Sequence, residues 1–357
     1  MTGELSAAQL RTRFERHVVT YLEDLRSQAS GDRSSPPVVV YTGGQPGAGK
    51  SRANERATQE RPSLVPVIGD DLRQFHPDYA RLMREDPLSM PAATAQASGR
   101  WIGMSADYLR ERHVDVLIET TLRSPDAMAS TIASFREAGY AVELRAVAVP
   151  PEVSRLSTIE RYTGQVESAG AGRWTPAAAH DEAFERAVAT VEGLVASGAV
   201  DRFVIEDRNG TVLLDENYVG LRDKGLAEAA HKASTFFERA RSIEQMAPDA
   251  ARGWIELAHT QIACVRGLKE QDPDLLSTVG RVVGRDAPGV ARVAYPGDAR
   301  AQERALQGLR EAHRPLAKGA LGQRIEREVL RRRRGGEGGR DLRLAGERAT
   351  PPRRGSR

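Results

Sequence analysis

The sequence predicts an α/β protein, with a mainly parallel sheet flanked by helices and an all-helical region after it. Three observations carry that reading. From Pro36 onward, short β-rich runs alternate with longer helical stretches. A glycine-rich turn joins the first of these runs to the helical stretch that follows, and beyond residue 220 the β-rich runs give way to apolar residues at helical spacing. Alternation of this kind is what parallel strands with crossover helices require.

Taken in order, Leu5, Leu10, Phe14, Val18, Tyr21, Leu22 and Leu25 repeat at helical spacing, and the polar run from Ser30 to Ser35 closes the segment. Residues 1–35 are therefore expected to form an amphipathic helix and a linker. Strands are expected at Val38–Tyr41, Val65–Ile68, Val114–Ile118 and Val142–Val149, with a last strand at Phe203–Ile205. Asn209-Gly210 and the following Val212-Leu213-Leu214 add a terminal hairpin, so the α/β domain spans 36–220. From 221 to 330, apolar positions such as Phe236, Phe237, Trp254, Ile255 and Ile262 are helically spaced. Turn signals at Pro248, Asp272-Pro273 and Pro296-Gly297 cut this region into several helices. It carries no catalytic constellation.

Composition narrows the function classes. The 357 residues are 40% hydrophobic and 28% charged, as in soluble globular proteins. No run approaches the roughly 20 apolar residues of a membrane span. With one cysteine, Cys264, neither an intrachain disulfide nor a cysteine-based metal cluster can form, which points to the cytoplasm. The net charge of +3 is misleading, because residues 331–357 hold ten arginines against three acids, a local +7 that leaves the rest of the chain at −4. This Gly- and Pro-rich segment reads as a disordered basic tail. No aromatic residues interleave with its arginines to stack on bases, which argues against a nucleic-acid partner.

The strongest motif is Gly44-Gln45-Pro46-Gly47-Ala48-Gly49-Lys50-Ser51, a GxxxxGK[ST] phosphate loop placed after a strand and before a helix. Such a loop turns its N–H groups onto phosphate oxygens at a helix N-terminus. Lys50 is expected to reach the β and γ phosphates of ATP, and the Ser51 hydroxyl to ligate Mg2+. The α/β domain is thus P-loop NTPase-like. After the next strand, Gly69-Asp70-Asp71 places acids at a strand's carboxyl end, where open α/β sheets bind ligands. Asp70 suits a general base that takes the proton of an attacking hydroxyl; the alternative is that Asp70 or Asp71 caps the following helix. The third strand runs into Glu119-Thr120-Thr121-Leu122-Arg123, donors and acceptors suited to a polyhydroxylated substrate, or else a structural Glu119–Arg123 ion pair. Arg161 and Arg173 flank a Gly- and Ala-rich segment with the character of a lid, and such arginines stabilise charge on a transferring phosphoryl group.

In their order along 36–220 these motifs resemble the zeta-toxin family of P-loop kinases. The resemblance is carried by Gly49-Lys50-Ser51, the Asp70 segment running to His76-Pro77, Ile118 to Arg123, Ser157 to Tyr162, and Arg173-Trp174-Thr175-Pro176 with His180-Asp181. It implies ATP-dependent phosphorylation of the 3′-hydroxyl of the amino sugar in UDP-N-acetylglucosamine by the toxin of a toxin–antitoxin system. On that resemblance Lys50 and Ser51 bind ATP and magnesium, and Asp70 is the base. Glu119, Thr121 and Arg123 contact the sugar nucleotide; Arg161 and Arg173 contact phosphates. The resemblance also implies a small helical antitoxin as partner. The chain departs from the family's simplest form in Thr120, where a glycine is frequent, in Asp71 beside the base, and in the helical extension. As an expectation, the leading helix or the C-terminal helices cover the site in cis. Competing readings are a kinase of another hydroxylated metabolite, a nucleotide-sensing regulatory module, and a nucleic-acid kinase supported by the basic tail alone.

Overall fold

The computed structural model describes residues 4–317, apart from residues 33 and 270. The basic segment expected at 331–357 lies outside the described residues. The leading helix comprises α1 (Ala7–Arg13), a π-helical turn at Phe14–Val18, and α2 (Val19–Gln28). Ser6 opens it with a reciprocal cap: its hydroxyl accepts from the Gln9 N–H while the Gln9 side chain accepts from the Ser6 N–H. Its buried residues Leu10, Phe14, Val18 and Leu22 stand four apart. An α-helix turns about 100° per residue, so such a stripe drifts by about 40° at each step. The more open winding of the π turn takes up that drift and keeps the stripe on the core.

The α/β body then runs β1 (Val38–Gly43), α3 (Lys50–Glu60), β2 (Val65–Val67), and the short α4 (Gly69–Leu72), α5 (Tyr79–Glu85) and α6 (Met90–Ala93). It continues with α7 (Ala95–Arg110), β3 (Val116–Thr120), α8 (Pro125–Glu137), β4 (Ala141–Val147), α9 (Pro151–Ala169), α10 (Ala177–Ala196), β5 (Arg202–Glu206) and β6 (Val212–Asn217). The strands form one sheet in the order β2-β3-β1-β4-β5-β6. All pair in parallel except β6, which returns antiparallel to β5 as the expected hairpin. Register aligns Gly43 with Thr120 on one side and Ala146 on the other, so the carboxyl ends of the three central strands meet at one edge. The chain order reverses around β1, and the crevice at such a point is where this architecture binds ligands.

The fold class read from the sequence is the one observed: a mostly parallel sheet flanked by helices, then helices alone. The hydrophobic cores, however, do not part at residue 220. α11 (Asp223–Ala240) packs on α10 and sends Ala230, Ala233 and Phe237 into the core that also holds the sheet and the leading helix. A second core begins with α12 (Pro248–Gly267), followed by α13 (Pro273–Arg281), a π turn at Val282–Asp286, α14 (Ala287–Ala294) and a last helix over residues 299–317. Leu156, Ile159 and Tyr162 of α9, with Trp174 beyond it, belong to this second core. The α9–α10 segment is therefore clamped between the sheet and the C-terminal helices. Among the described residues no helix is long and apolar enough to cross a membrane.

Candidate functional site

β1 feeds directly into the phosphate loop, whose turn depends on glycine at two points. Gly47 has φ +80°, and a side chain there would run into the Ser154 carbonyl of α9; Gly49 has φ +101° at the start of α3. The buried Gln45 side chain fixes the loop from behind, donating to Val149 O at 2.8 Å and to Ser154 Oγ at 3.1 Å. Lys50 and Ser51 then stand in the first turn of α3 and line a cleft of about 660 Å³.

Around this cleft the strand ends deliver acids and the α9–α10 segment delivers cations. Asp70 lies in the first turn of α4, just past β2, with Asp71 beside it; neither caps the helix, whose N-cap is Ile68. Arg73, one turn on, donates to Asp70 Oδ1 at 3.0 Å, and Arg173 from the α9–α10 loop meets Oδ2 at 2.9 Å. Glu119, at the end of β3, stands 3.8 Å from Lys50 Nζ and accepts from Asn54 Nδ2 at 2.9 Å. Arg161, on α9, donates to Thr175 Oγ1, while its buried Nε has no partner among the described residues.

The electrostatics follow from this crowding. Burial pushes the Lys50 ammonium down; Glu119 opposes that and Arg161 adds to it. Burial likewise lowers Arg161, and neighbouring Arg173 lowers it further. Burial by itself would raise Asp70, but Arg173 and Arg73 outweigh it and hold the carboxyl below the usual range. Asp71 goes the other way, raised by burial and by the nearby charges of Asp70 and Glu119. A buried cation cluster around an unpaired guanidinium N–H is chemically complementary to a polyanion such as a triphosphate.

Of the residues singled out from the sequence, Gly47, Gly49, Lys50, Ser51, Asp70, Glu119, Arg161 and Arg173 line this one cleft. Thr121 and Arg123 are not among its lining residues; Arg123 is exposed and pairs with Glu182 of α10 at 3.7 Å. The Glu119–Arg123 ion pair considered from the sequence does not form, since each has another partner. Leu122 between them has φ +57° and packs on Gly43, which turns the chain away from the cleft after Thr120. Among the described residues, none that lines the cleft comes from the leading helix or from beyond residue 208, although Tyr21 of α2 bonds to Asp71 at its edge.

Three residues escaped the sequence reading. Asn54 sits one turn after Lys50 on the same helical face. Arg73 follows Asp70 at i+3, a spacing that carried the signal. Arg208 comes just after β5, at the carboxyl edge of the sheet; it packs over Gly49 and donates to Ser157 Oγ.

A phosphate loop at the switch point of a parallel sheet, facing acids and paired arginines, defines a P-loop kinase-like protein. The zeta toxin family model matches residues 23–218. Toxin PezT of Streptococcus pneumoniae serotype 4 (strain ATCC BAA-334 / TIGR4) is 30% identical over 195 residues, 54% of this chain and 77% of that protein. Toxin zeta of Enterococcus hirae is 29% identical over 202 residues, 56% of this chain and 70% of that protein. A chain solved in the characterization of the PezAT chromosomal toxin–antitoxin system of Streptococcus pneumoniae shares the fold at a TM-score of 0.51. It is 24% identical, and the match covers 66% of this chain and 98% of that one. The chain belongs to the zeta toxin family.

Proposed function

We propose that this protein is an ATP- and magnesium-dependent phosphotransferase that phosphorylates a hydroxyl of a sugar nucleotide, UDP-N-acetylglucosamine. In this reading it acts in the cytoplasm as the toxin of a toxin–antitoxin pair. The observation that carries the reading is the convergence of Lys50 and Ser51 with Asp70, Arg161 and Arg173 on one cleft. A nucleotide-sensing module has no need of a carboxylate facing the phosphate loop across paired arginines.

In this mechanism Lys50 and the loop N–H groups hold the β and γ phosphates, and the orphaned Arg161 Nε gains an acceptor. Asp70 orients the acceptor hydroxyl in line with the γ phosphorus. As the new O–P bond forms and the bridging bond to ADP breaks, Asp70 takes the hydroxyl proton. Held below the usual carboxylate range, it is a weak base, so it takes that proton late and contributes chiefly by orientation. Arg161 and Arg173 neutralise charge on the moving group. The Ser51 hydroxyl and nearby carboxylate oxygens suit a hard cation held mainly by phosphates, and among the described residues no cluster of three His, Cys, Asp or Glu competes for a metal. Magnesium would be held by the Ser51 hydroxyl together with the nucleotide and would offset the charge on the phosphates.

The test is a transfer assay with the purified chain, ATP and magnesium, following ADP release and product mass with and without UDP-N-acetylglucosamine. A gain of one phosphate on the sugar nucleotide, absent for Asp70→Asn, is the expected result. The exposed, Glu182-paired position of Arg123 favours a second reading, in which the chemistry is the same and the acceptor is another hydroxylated metabolite. ADP release driven only by such a metabolite would replace the first reading with the second.

A further inference from the structure

Arg161 lies within α9 and Arg173 in the connection from α9 to α10, and the cleft works only if both stay aimed into it. Within the connection the restraints are few: the Arg173 N–H donates to Gln165 Oε1 at 2.9 Å, Arg161 donates to Thr175, and Trp174 packs edge-on against Tyr162. Besides the Arg173–Asp70 ion pair across the cleft, a further restraint comes from a hundred residues away. One carboxylate oxygen of Asp274, in the first turn of α13, accepts from Trp174 Nε1 at 2.8 Å and from the Ala177 N–H, the first residue of α10, at 2.9 Å. It therefore fixes the residue next to Arg173 and the start of the following helix together. Further ties hold the same C-terminal helices to α9 and α10: Thr163 donates to Gln261 at 2.6 Å, Arg155 pairs with Asp286 at 2.6 Å, and Arg281 pairs with Asp181 at 2.7 Å.

We propose that the C-terminal helices serve as a scaffold built into the chain for the phosphate-facing arginines, with Asp274 as a positioning residue that acts through Trp174 on Arg173. The family model matches residues 23–218, and the C-terminal helices follow that stretch. The inference rests on the proposed role of Arg173 in phosphoryl transfer. A carboxylate is suited to the task because charge-assisted bonds to two converging donors are about twice as strong as neutral ones. A single oxygen receiving both donors also transmits a displacement of α13 to the loop and the helix at once.

The experiment uses the full chain and compares Asp274→Ala, Asp274→Asn, Arg173→Ala and the Asp274→Ala/Arg173→Ala double variant. Asp274→Ala is expected to lower kcat by about tenfold or more while leaving KM for ATP within about twofold, the pattern of an interaction made in the transition state. Asp274→Asn, which keeps an oxygen acceptor, should recover part of the loss. The double variant should be no slower than Arg173→Ala alone, because both changes disable one device. Effects of Asp274→Ala and Arg173→Ala that multiply, or an unchanged kcat, would overturn the proposal. Should Asp274→Ala not fold, Trp174→Phe removes the indole donor while keeping a ring in the second core, and the same non-additivity with Arg173→Ala is expected of it. Amide exchange of residues 173–177 is read in parallel. If the wild-type chain transfers phosphate to no acceptor, the kinase reading fails by itself. Faster exchange in Asp274→Ala then still upholds the scaffold, and unchanged exchange sinks it.

Discussion

The 2.9 Å contact between Arg173 and Asp70 sets the protonation state of the cleft, because a cation beside a partly buried carboxylate favours its ionised form. Removing that cation leaves only Arg73 and Arg161 to oppose burial, so Asp70 titrates at higher pH in Arg173→Ala. The acid limb of a kcat/KM profile should therefore move upward in that variant, while kcat falls by roughly 10³-fold or more if Arg173 also stabilises the transferring group. A large fall in kcat with an unmoved acid limb would separate the two roles and leave Asp70 independent of Arg173. Lys50→Ala should abolish transfer, and Asp70→Asn should retain ATP affinity while losing turnover; near-normal turnover in Asp70→Asn would remove it as the base. Lys50 and Asp70 were readable from sequence because a motif or a strand end fixed their place, and Arg173 because the resemblance to the family pointed to it. Arg208 and Asn54 were not, since a lone arginine after a strand and an asparagine within a helix have no signature until the fold brings them to Ser157 and Glu119.

Secondary-structure elements show where periodicity succeeds and where it loses detail. The valine-rich runs announced β1, β3 and β4 because strands buried on both faces need nearly continuous apolar residues, and β1 is indeed buried along its whole length. The short helices α5 and α6 were not foreseen, since four to seven residues are too few to display a period. The leading helix was legible as amphipathic, yet its π turn was not, although the four-residue spacing of Leu10, Phe14, Val18 and Leu22 contained the clue. This helix is bound into the main core: Trp101 of α7 donates to Leu10 O at 3.0 Å, and Leu22 is fully buried. Leu22→Ala should therefore cost about 2–5 kcal/mol of stability, read from the midpoint of urea unfolding at unchanged slope. A loss below about 0.5 kcal/mol, the range of surface substitutions, would mean that the helix is only loosely attached.

Across the whole molecule, the parts are joined by buried polar contacts that no local pattern announces, because their members come from distant stretches of chain. His180 of α10 is the clearest case, only 2% exposed: its Nε2 lies 2.8 Å from Ser154 Oγ, which in turn accepts from Gln45 of the phosphate loop. Its Nδ1 lies 3.0 Å from Asp181, which also receives Arg155 and, from the C-terminal helices, Arg281. The serine, histidine and acid stand in the order of a nucleophilic triad, but the fully buried Ser154 is spent on bracing the loop. Burial pushes His180 down to about 4, against partial support from Asp181 and with Arg155 and Arg281 opposing its charge. Burial works in the other direction on Asp181, but bonds from His180, Arg281 and Arg155 prevail and bring it to about 2. The neutral imidazole is thus the native form, and the unfolded chain binds the extra proton first. The stability held in His180 is complete above pH ~6.5 and is lost as pH falls through the window from ~6.5 to ~4, a loss of about 3 kcal/mol when complete. Asp181 adds a second decline below its unfolded value of about 3.8, as pH falls toward 2. His76 and His313 are also lowered by burial and contribute to the slope, so the informative quantity is the difference between wild type and His180→Gln. That difference in unfolding free energy should be largest at pH 7 to 8 and should narrow steadily from pH 6.5 to 4. Curves that stay parallel across this window would show that His180 is not held neutral at the junction of the phosphate loop and the C-terminal helices.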